Sequence, residues 1–199
     1  MIIKSLYILI LWLTISLSSC ESLIYDNLVD IEESASGQEV YLSIRKAGTS
    51  DTETINEDLA RFEDRIHDLA LLIFDSSTGA KVAGYFDHGI LLSSKEKSFT
   101  VKMTTGQRDF YFVANMPLQE LRTIQNKSEM ITYMNQFRDL DIDLYQGATA
   151  DKGFPMSRIY LNQTITEGGN IYSPKPFQPT TNGTSEEQVR LTRSIAKLE

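Results

Sequence analysis

The chain contains 199 residues, of which 41% are apolar and 23% charged, and its net charge is −8. This composition suits one globular domain with or without a tail. The 27 acidic residues outnumber the 19 basic ones, which opposes binding to nucleic-acid phosphates. The single cysteine excludes an internal disulfide and a cysteine-rich metal site.

The N-terminus has the layout of an export signal. Lys4 precedes the apolar run Leu6–Leu17, which is shorter than the roughly 20 residues of a membrane-spanning helix. Residues 17–20, Leu-Ser-Ser-Cys, resemble a bacterial lipobox, which implies cleavage before Cys20 and attachment of lipid, including palmitate, at that residue. The alternative is an ordinary signal-peptide end with an incidental thiol. We therefore expect residues 1–19 to be a lipoprotein signal peptide.

Negative charge is concentrated behind this signal. Residues 21–68 carry 13 acidic and 4 basic side chains, whereas residues 69–199 carry 14 of each. Like charges repel one another and extend a flexible chain. We expect residues 20–38 to form an acidic tether, or a linker whose charge serves only solubility, and residues 39–199 to form the domain.

Alternation of apolar and polar side chains predicts the first strands. Residues 39–46 place Val40, Leu42 and Ile44 on one face of a strand. Residues 66–74, which include His67 as a hydrogen-bonded structural histidine, are apolar on both faces and indicate a central strand. Further strands are predicted at residues 81–86, 98–103 and 108–114. The polar turn at residues 104–107 predicts that the last two form a hairpin.

A helical interval is predicted after these strands. Pro117 suits a first helical position, and Ser128 is expected to cap a second helix ahead of an apolar face. That face comprises Met130, Ile131, Met134 and Phe137.

The C-terminal part is predicted to return to β structure. Residues 173–188, with three prolines, read as a long loop, and residues 188–199 resume β-type alternation. The whole pattern predicts a mainly β fold, an antiparallel β-sandwich with a short helical insertion. A chain ending within a strand-like run suggests a fragment, although a terminal edge strand is the alternative.

No residue pattern supports catalysis. His67 and His88 lack partners at metal-ligand spacing, and the sequence contains no nucleophile elbow or phosphate-binding loop. The carboxylates at residues 139, 141 and 143 lack the glycine and terminal glutamate of a calcium loop. The sequons at residues 126, 162 and 182 are interpreted as coincidental. We expect no enzyme activity, no cofactor and no metal site.

Four stretches, in order, resemble the N-terminal domain of the FimA-type fimbrillins, the type V pilus subunits of Bacteroidia. They are residues 63–75 with Gly79, residues 110–117 (FYFVANMP), residues 154–157 (FPMS) and residues 189–197 (VRLTRSIAK). The resemblance implies a transthyretin-like β-sandwich, location in a fimbrium on the cell outer membrane, and a role in cell adhesion. It also implies assembly with other fimbrial subunits by β-strand exchange.

In such pili a protease cuts after an arginine and removes the first strand, and a strand from a neighbouring subunit replaces it. Here the resemblance makes Val40, Leu42 and Ile44 the strand-exchange segment, and Arg45 and Arg61 the candidate maturation sites. Residues 46–60 contain no arginine, so we expect poor processing and a retained lipid, as in an anchor or accessory subunit. The second domain, which carries the donor strand in the family, is expected to be missing.

The alternative interpretation is a surface lipoprotein β-sandwich that binds glycans. Carbohydrate sites favour exposed aromatic platforms, but Trp12 is the only tryptophan and lies in the signal segment. A hydrolase is disfavoured because no catalytic residues can be nominated.

Overall fold

A computed structural model describes residues 37–46, 66–88, 97–136 and 153–193. These ranges contain β-strands and two short helices, which are numbered here in chain order. They are β1 (Glu39–Lys46), β2 (Leu69–Asp75), β3 (Lys81–Asp87), β4 (Lys97–Thr104), β5 (Gly106–Ala114), α1 (Leu118–Thr123), α2 (Lys127–Gln136), β6 (Met156–Ile165), β7 (Lys175–Pro176), β8 (Thr180–Thr181), β9 (Thr184–Ser185) and β10 (Thr192–Arg193).

The strands form two main sheets. A three-stranded sheet has the order β4-β1-β7, and a five-stranded sheet has the order β10-β6-β5-β2-β3. Neighbouring strands are antiparallel, except that β7 runs parallel to β1. The predicted mainly β antiparallel fold with a helical insertion is confirmed.

β2 is the central strand that its apolar pattern predicts, although it begins at Leu69 rather than at residue 66. It pairs with β3 on one edge and with β5 on the other. Leu69, Leu71 and Ile73 belong to the core shared by the two sheets. Residues 70, 72 and 74 belong to a second apolar cluster, which includes Leu121 of α1 and Met130 of α2. The helices therefore cover the outer face of the five-stranded sheet.

The helix boundaries differ from the prediction. α1 begins after Pro117, and the cap of α2 is Asn126, whose side-chain oxygen accepts the Glu129 amide at 2.9 Å. The Glu129 carboxylate accepts the Gln125 amide at 2.8 Å in return. Ser128 thus lies inside the helix, and the Asn-x-x-Glu pattern was the capping signal. Ile131, which was placed on the apolar face of this helix, is 44% exposed.

The predicted hairpin of residues 98–103 and 108–114 is wrong, because β4 and β5 belong to different sheets. Gly106 has φ of 127°, a value that side chains disfavour. The buried Arg108 side chain folds back and donates to the Thr104 carbonyl at 3.3 Å and the Thr104 hydroxyl at 3.0 Å. The turn residues therefore form a corner through which the chain passes from one sheet to the other.

The interval predicted as a long loop, residues 173–188, contains three two-residue strands, β7, β8 and β9. Such short pieces carry too little alternation to be recognised in a sequence. Farther along, β10 pairs with the start of β6 through Thr192↔Ser157 and Arg193↔Met156. Residues 194–199 of the predicted last strand lie outside the described residues.

Candidate functional site

The inner face of β1 fills one side of the sandwich core. Val40 and Ile44 are 0% exposed and Leu42 is 2% exposed, and all three belong to the core cluster. Removing each such side chain from water stabilises the fold by about 1.5–3 kcal/mol. We call the space that β1 occupies, between β4 and residues 175–189, the slot.

One edge of the slot is a regular ladder. β1 and β4 pair in antiparallel register over all eight residues, from Glu39↔Thr104 to Lys46↔Lys97. On the outer face, Lys102 of β4 forms an ion pair with Glu39 at 2.6 Å. This pair lies near the surface and contributes little energy, so the ladder and the apolar side chains hold β1 along this edge.

The other edge is assembled from separated pieces of chain. β7 pairs in parallel with Leu42 and Ser43. The Phe177 amide donates to the Ser43 carbonyl at 2.8 Å, and the Val189 amide donates to the Arg45 carbonyl at 2.9 Å. Gly169 lies so close that a β-carbon there would be 2.4 Å from the Tyr41 carbonyl oxygen. We call residues 169–189 the strap.

The strap is fastened to the five-stranded sheet through apolar contacts. Phe177 is 5% exposed and stacks on Phe110 of β5, with 4.3 Å between ring centroids. It also meets the Tyr160 ring edge-on at 6.4 Å. Val189 is 1% exposed in the same core. These contacts join the strap to the sandwich without the help of β1.

Polar contacts fasten the strap to β6. The Glu186 carboxylate accepts hydrogen bonds from Arg158 and Tyr160, each at 2.7 Å. The buried side chain of Gln163 accepts the Thr180 amide at 2.8 Å and donates to the Thr180 carbonyl at 3.1 Å. Buried groups that are satisfied in this way fix one arrangement of the chain.

The Glu186 contact changes the ionisation of both partners. Burial raises the pKa of Glu186, but the hydrogen bonds from Tyr160, Thr181 and Arg158 outweigh it and the pKa is lowered overall. Burial, followed by the hydrogen bond to Glu186, raises the pKa of Tyr160 to about 12. The carboxylate is therefore charged and the phenol neutral at neutral pH, which is the state that the hydrogen bonds require.

The chemistry available at the slot is backbone pairing. Without β1, the amide and carbonyl groups of β4 and the amides of Phe177 and Val189 would lack partners, and the pockets of three apolar side chains would be empty. An extended segment supplies what such an edge lacks, because main-chain hydrogen bonds give affinity and alternate side chains give specificity.

The predicted site residues are distributed unevenly over the structure. Val40, Leu42 and Ile44 lie together on the buried face of β1, and Arg45 is exposed near the end of that strand. Cys20, Arg61 and the acidic residues 139, 141 and 143 lie outside the described residues. The strap was not predicted; Phe177 and Val189 beside three prolines were the available signal.

A separate concavity of about 930 Å³ lies between the start of β2 and α1. His67 lines it but precedes β2, so its placement in a strand was wrong. Its amide donates to Asn115 at 2.8 Å, whereas its buried Nε2 atom has no hydrogen-bond partner. At the rim, the exposed His88 ring contacts the Asp68 carboxylate at 2.6 Å. The Nε2 atom therefore lacks the hydrogen bond expected of a structural histidine.

Two features of the described part of the chain bear on other functions. Its acidic and histidine side chains form no group of three that could hold a metal ion. In the same ranges, no helix has the length and apolar character needed to cross a membrane. Among the tyrosine, phenylalanine and tryptophan side chains of these ranges, only that of Tyr172 is exposed, at 95%.

Comparisons with known proteins identify relatives with this architecture. Residues 39–193 match the family model of the major fimbrial subunit protein FimA. The chain is 44% identical to the minor fimbrium tip subunit Mfa3 of Porphyromonas gingivalis over 201 residues, which cover 99% of this chain and 43% of that protein.

A solved structure agrees with this match. The tip fimbrial protein Mfa3 from Porphyromonas gingivalis with C-terminal truncation superposes with a TM-score of 0.64 and 47% identity, covering 78% of this chain and 48% of that one. The chain thus spans less than half the length of the relatives that it matches.

Proposed function

Because the chain belongs to the family of FimA-type major fimbrial subunit proteins, we propose that it is a structural or accessory subunit of a fimbrium that joins its neighbour by β-strand replacement in the slot. The observation that carries the proposal is the complete burial of one face of an eight-residue strand near the N-terminal end of the described chain. Such a strand can be withdrawn and replaced without rethreading the rest of the sandwich.

Family members and the Mfa3 relative are fimbrial subunits rather than enzymes. The proposed partners are accordingly other fimbrial subunits, and the proposed site is the cell surface, within a fimbrium that supports adhesion. Strand pairing suits this role because it joins subunits through the main chain. Neither a cofactor nor a metal has a part in the proposal.

The N-terminal segment supplies the proposed attachment to the outer membrane. Residues 1–19 are proposed to be removed as a signal peptide, and Cys20 to carry the lipid. Two or more acyl chains give stable membrane anchoring, whereas a single chain gives only marginal binding. Residues 20–38 then separate the membrane from the domain that begins at residue 39.

Proteolysis within the N-terminal region would release β1. The proposed cleavage positions are Arg45 and Arg61. Arg45 is a poor substrate while the domain is folded, because its carbonyl is hydrogen-bonded to the strap and it lies within the β1–β4 ladder. We propose that this subunit is cut inefficiently and remains anchored.

Replacement of β1 by a peptide tests the proposal. A cleavage site for a specific protease is introduced into residues 47–60 of the full chain, and the folded protein is cut and incubated with a biotinylated peptide of sequence EVYLSIRK. We expect this peptide to be retained. A control peptide with the same composition, but with Val, Leu and Ile adjacent to one another, should not be. The proposal would be overturned if the cut and folded chain retained the two peptides equally, or if it retained neither of them.

A further inference from the structure

We infer that the strap is the second wall of the slot and selects the direction of the strand that enters it. The partner it fits is an extended segment with three apolar residues at alternate positions, running in the same direction as β1. This inference rests on the proposed strand replacement and adds a requirement on the geometry of the incoming segment.

The occupant of the slot runs antiparallel to one wall and parallel to the other. β4 pairs with β1 in antiparallel register through eight residue pairs, whereas β7 pairs with it in parallel. Hydrogen bonds of antiparallel strands are perpendicular and alternately spaced, whereas those of parallel strands are slanted and evenly spaced. A strand inserted in the reverse direction would be parallel to β4 and antiparallel to the strap. Its carbonyls would then be out of phase with both walls.

The strap places two hydrogen-bond donors where, in the observed register, only an occupant running in the β1 direction presents carbonyl oxygens to them. The Phe177 and Val189 amides meet the carbonyls of Ser43 and Arg45, which are two residues apart. The backbone at Gly169 has φ of 78° and leaves no room for a side chain beside the Tyr41 carbonyl. The strap therefore contacts β1 along most of its length, mainly through the backbone. Because every residue except proline offers the same backbone groups, the strap can also bind an occupant of different sequence.

The strap can act as a fixed wall because its fastenings do not involve β1. Glu186 is hydrogen-bonded to Arg158 and Tyr160 of β6, and three hydrogen bonds join Thr180 to Gln163. Phe177 is held by the ring of Phe110. None of these contacts uses a residue of β1, so replacement of β1 removes none of their partners.

Disulfide trapping measures the direction of the occupant. The full chain carries Cys20→Ser, the cleavage site within residues 47–60, and Ser98→Cys on the exposed position opposite Arg45. After cleavage it is incubated with one of two peptides of the β1 sequence, which carry cysteine in place of either Arg45 or Glu39. A peptide that runs in the β1 direction places the cysteine at position 45 opposite residue 98. A peptide that runs in the reverse direction, with its three apolar side chains still facing the core, places the cysteine at position 39 opposite residue 98.

We expect the Arg45-position peptide to be trapped at least about tenfold more than the Glu39-position peptide, as the loss of one or two backbone hydrogen bonds implies. Equal trapping, or a reversed ratio, would overturn the inference while leaving strand replacement intact. Absence of trapping with both peptides, together with no retention of the biotinylated peptide, would overturn the proposed function itself.

Loosening the strap separates its contribution from that of β4. Glu186→Ala removes the acceptor for Arg158 and Tyr160, whereas Glu187→Ala, at the exposed neighbouring position, is the matched control. Gly169→Ala displaces the strap from Tyr41 without touching its fastenings to β6. We expect the trapping ratio to fall toward one in the Glu186 and Gly169 variants and to stay high in the control. An unchanged ratio in folded Glu186 and Gly169 variants would show that β4 alone sets the direction.

Discussion

The buried carboxylate of Asp109 accepts the backbone amide of Asn162 at 2.7 Å, at the place where β5 and β6 shift register. Asn162 has φ of 53° and is the extra residue of this β-bulge. The same carboxylate accepts a hydrogen bond from the Ser76 hydroxyl at 2.8 Å and forms an ion pair with Lys127 of α2. One side chain thus completes an irregular ladder and attaches a helix to the sheet.

Replacing Asp109 by alanine should destabilise the domain strongly. The side chain is 0% exposed, and its loss leaves the Asn162 amide and the Lys127 ammonium without their acceptor. A donor left without its acceptor costs about 1–3 kcal/mol, and Lys127, which is 29% exposed, adds less because water can solvate it. Urea unfolding measures the change, and Asp109→Asn, which keeps an acceptor oxygen, should lose less. A loss below about 1 kcal/mol for the alanine variant would contradict this role.

Shortening the central apolar side chain of β1 should weaken the slot. Leu42 is 2% exposed in the core, and truncation of a buried leucine costs about 2–5 kcal/mol. Leu42→Ala should lower the free energy of unfolding by this amount in a urea titration. Ser43→Ala, on the opposite face of the same strand, is the control and should change it by less than about 1 kcal/mol. Similar losses in both variants would argue against a one-sided slot.

The strap should loosen in acid. The pKa of Glu186 is lowered in the folded state, so its charged form stabilises the fold above the ordinary glutamate pKa, and this contribution disappears as the pH falls through the folded value. Wild type should therefore lose more stability between pH 7 and pH 3 than Glu186→Gln. Glu187→Gln should behave as wild type. Thermal unfolding across this pH range provides the measurement, and parallel curves for wild type and Glu186→Gln would refute the assignment.

Cys20 should carry the lipid. Radiolabelled palmitate supplied to cells expressing the full chain should enter the wild-type protein and be absent from Cys20→Ser. Ser19→Ala, a small-residue exchange within the same motif, should retain the label. Equal labelling of wild type and Cys20→Ser would exclude the proposed anchor.

Processing at arginine should be inefficient. N-terminal sequencing of protein extracted from the cell surface should find the N-terminus blocked by acylated Cys20. Chains that begin at Lys46 or Phe62 would instead show efficient cleavage after Arg45 or Arg61. If such chains dominate, Arg45→Lys and Arg61→Lys variants will identify which bond is cut.

Most strands could be predicted from alternation, because a strand with one buried face has a period of two residues. This is why β1 was predicted with its observed bounds and why β2 was recognised as central. Alternation does not encode which sheet a strand joins. The turn between β4 and β5 has the composition of a hairpin, and only the fold-back of Arg108 onto Thr104 distinguishes it as a corner.

The strap could not be predicted for a different reason. The Phe177 and Val189 amides that donate hydrogen bonds to β1 are 12 positions apart in the chain and belong to the backbone. A backbone donor has no signature in the sequence, since every residue except proline carries one. The buried apolar face of β1 was therefore visible, whereas the second edge that holds it became apparent only in three dimensions.

The strap also constrains when the domain can be completed. The amides that close the second edge of β1 follow Ser43 by 134 residues and Arg45 by 144 residues. Contacts between such distant positions form slowly, because a long loop must close before they contribute any energy. During synthesis and export, β1 is made well before Phe177 and Val189, whose amides complete its second edge. Throughout that delay, the unfinished second edge is open to a foreign strand as well as to β1.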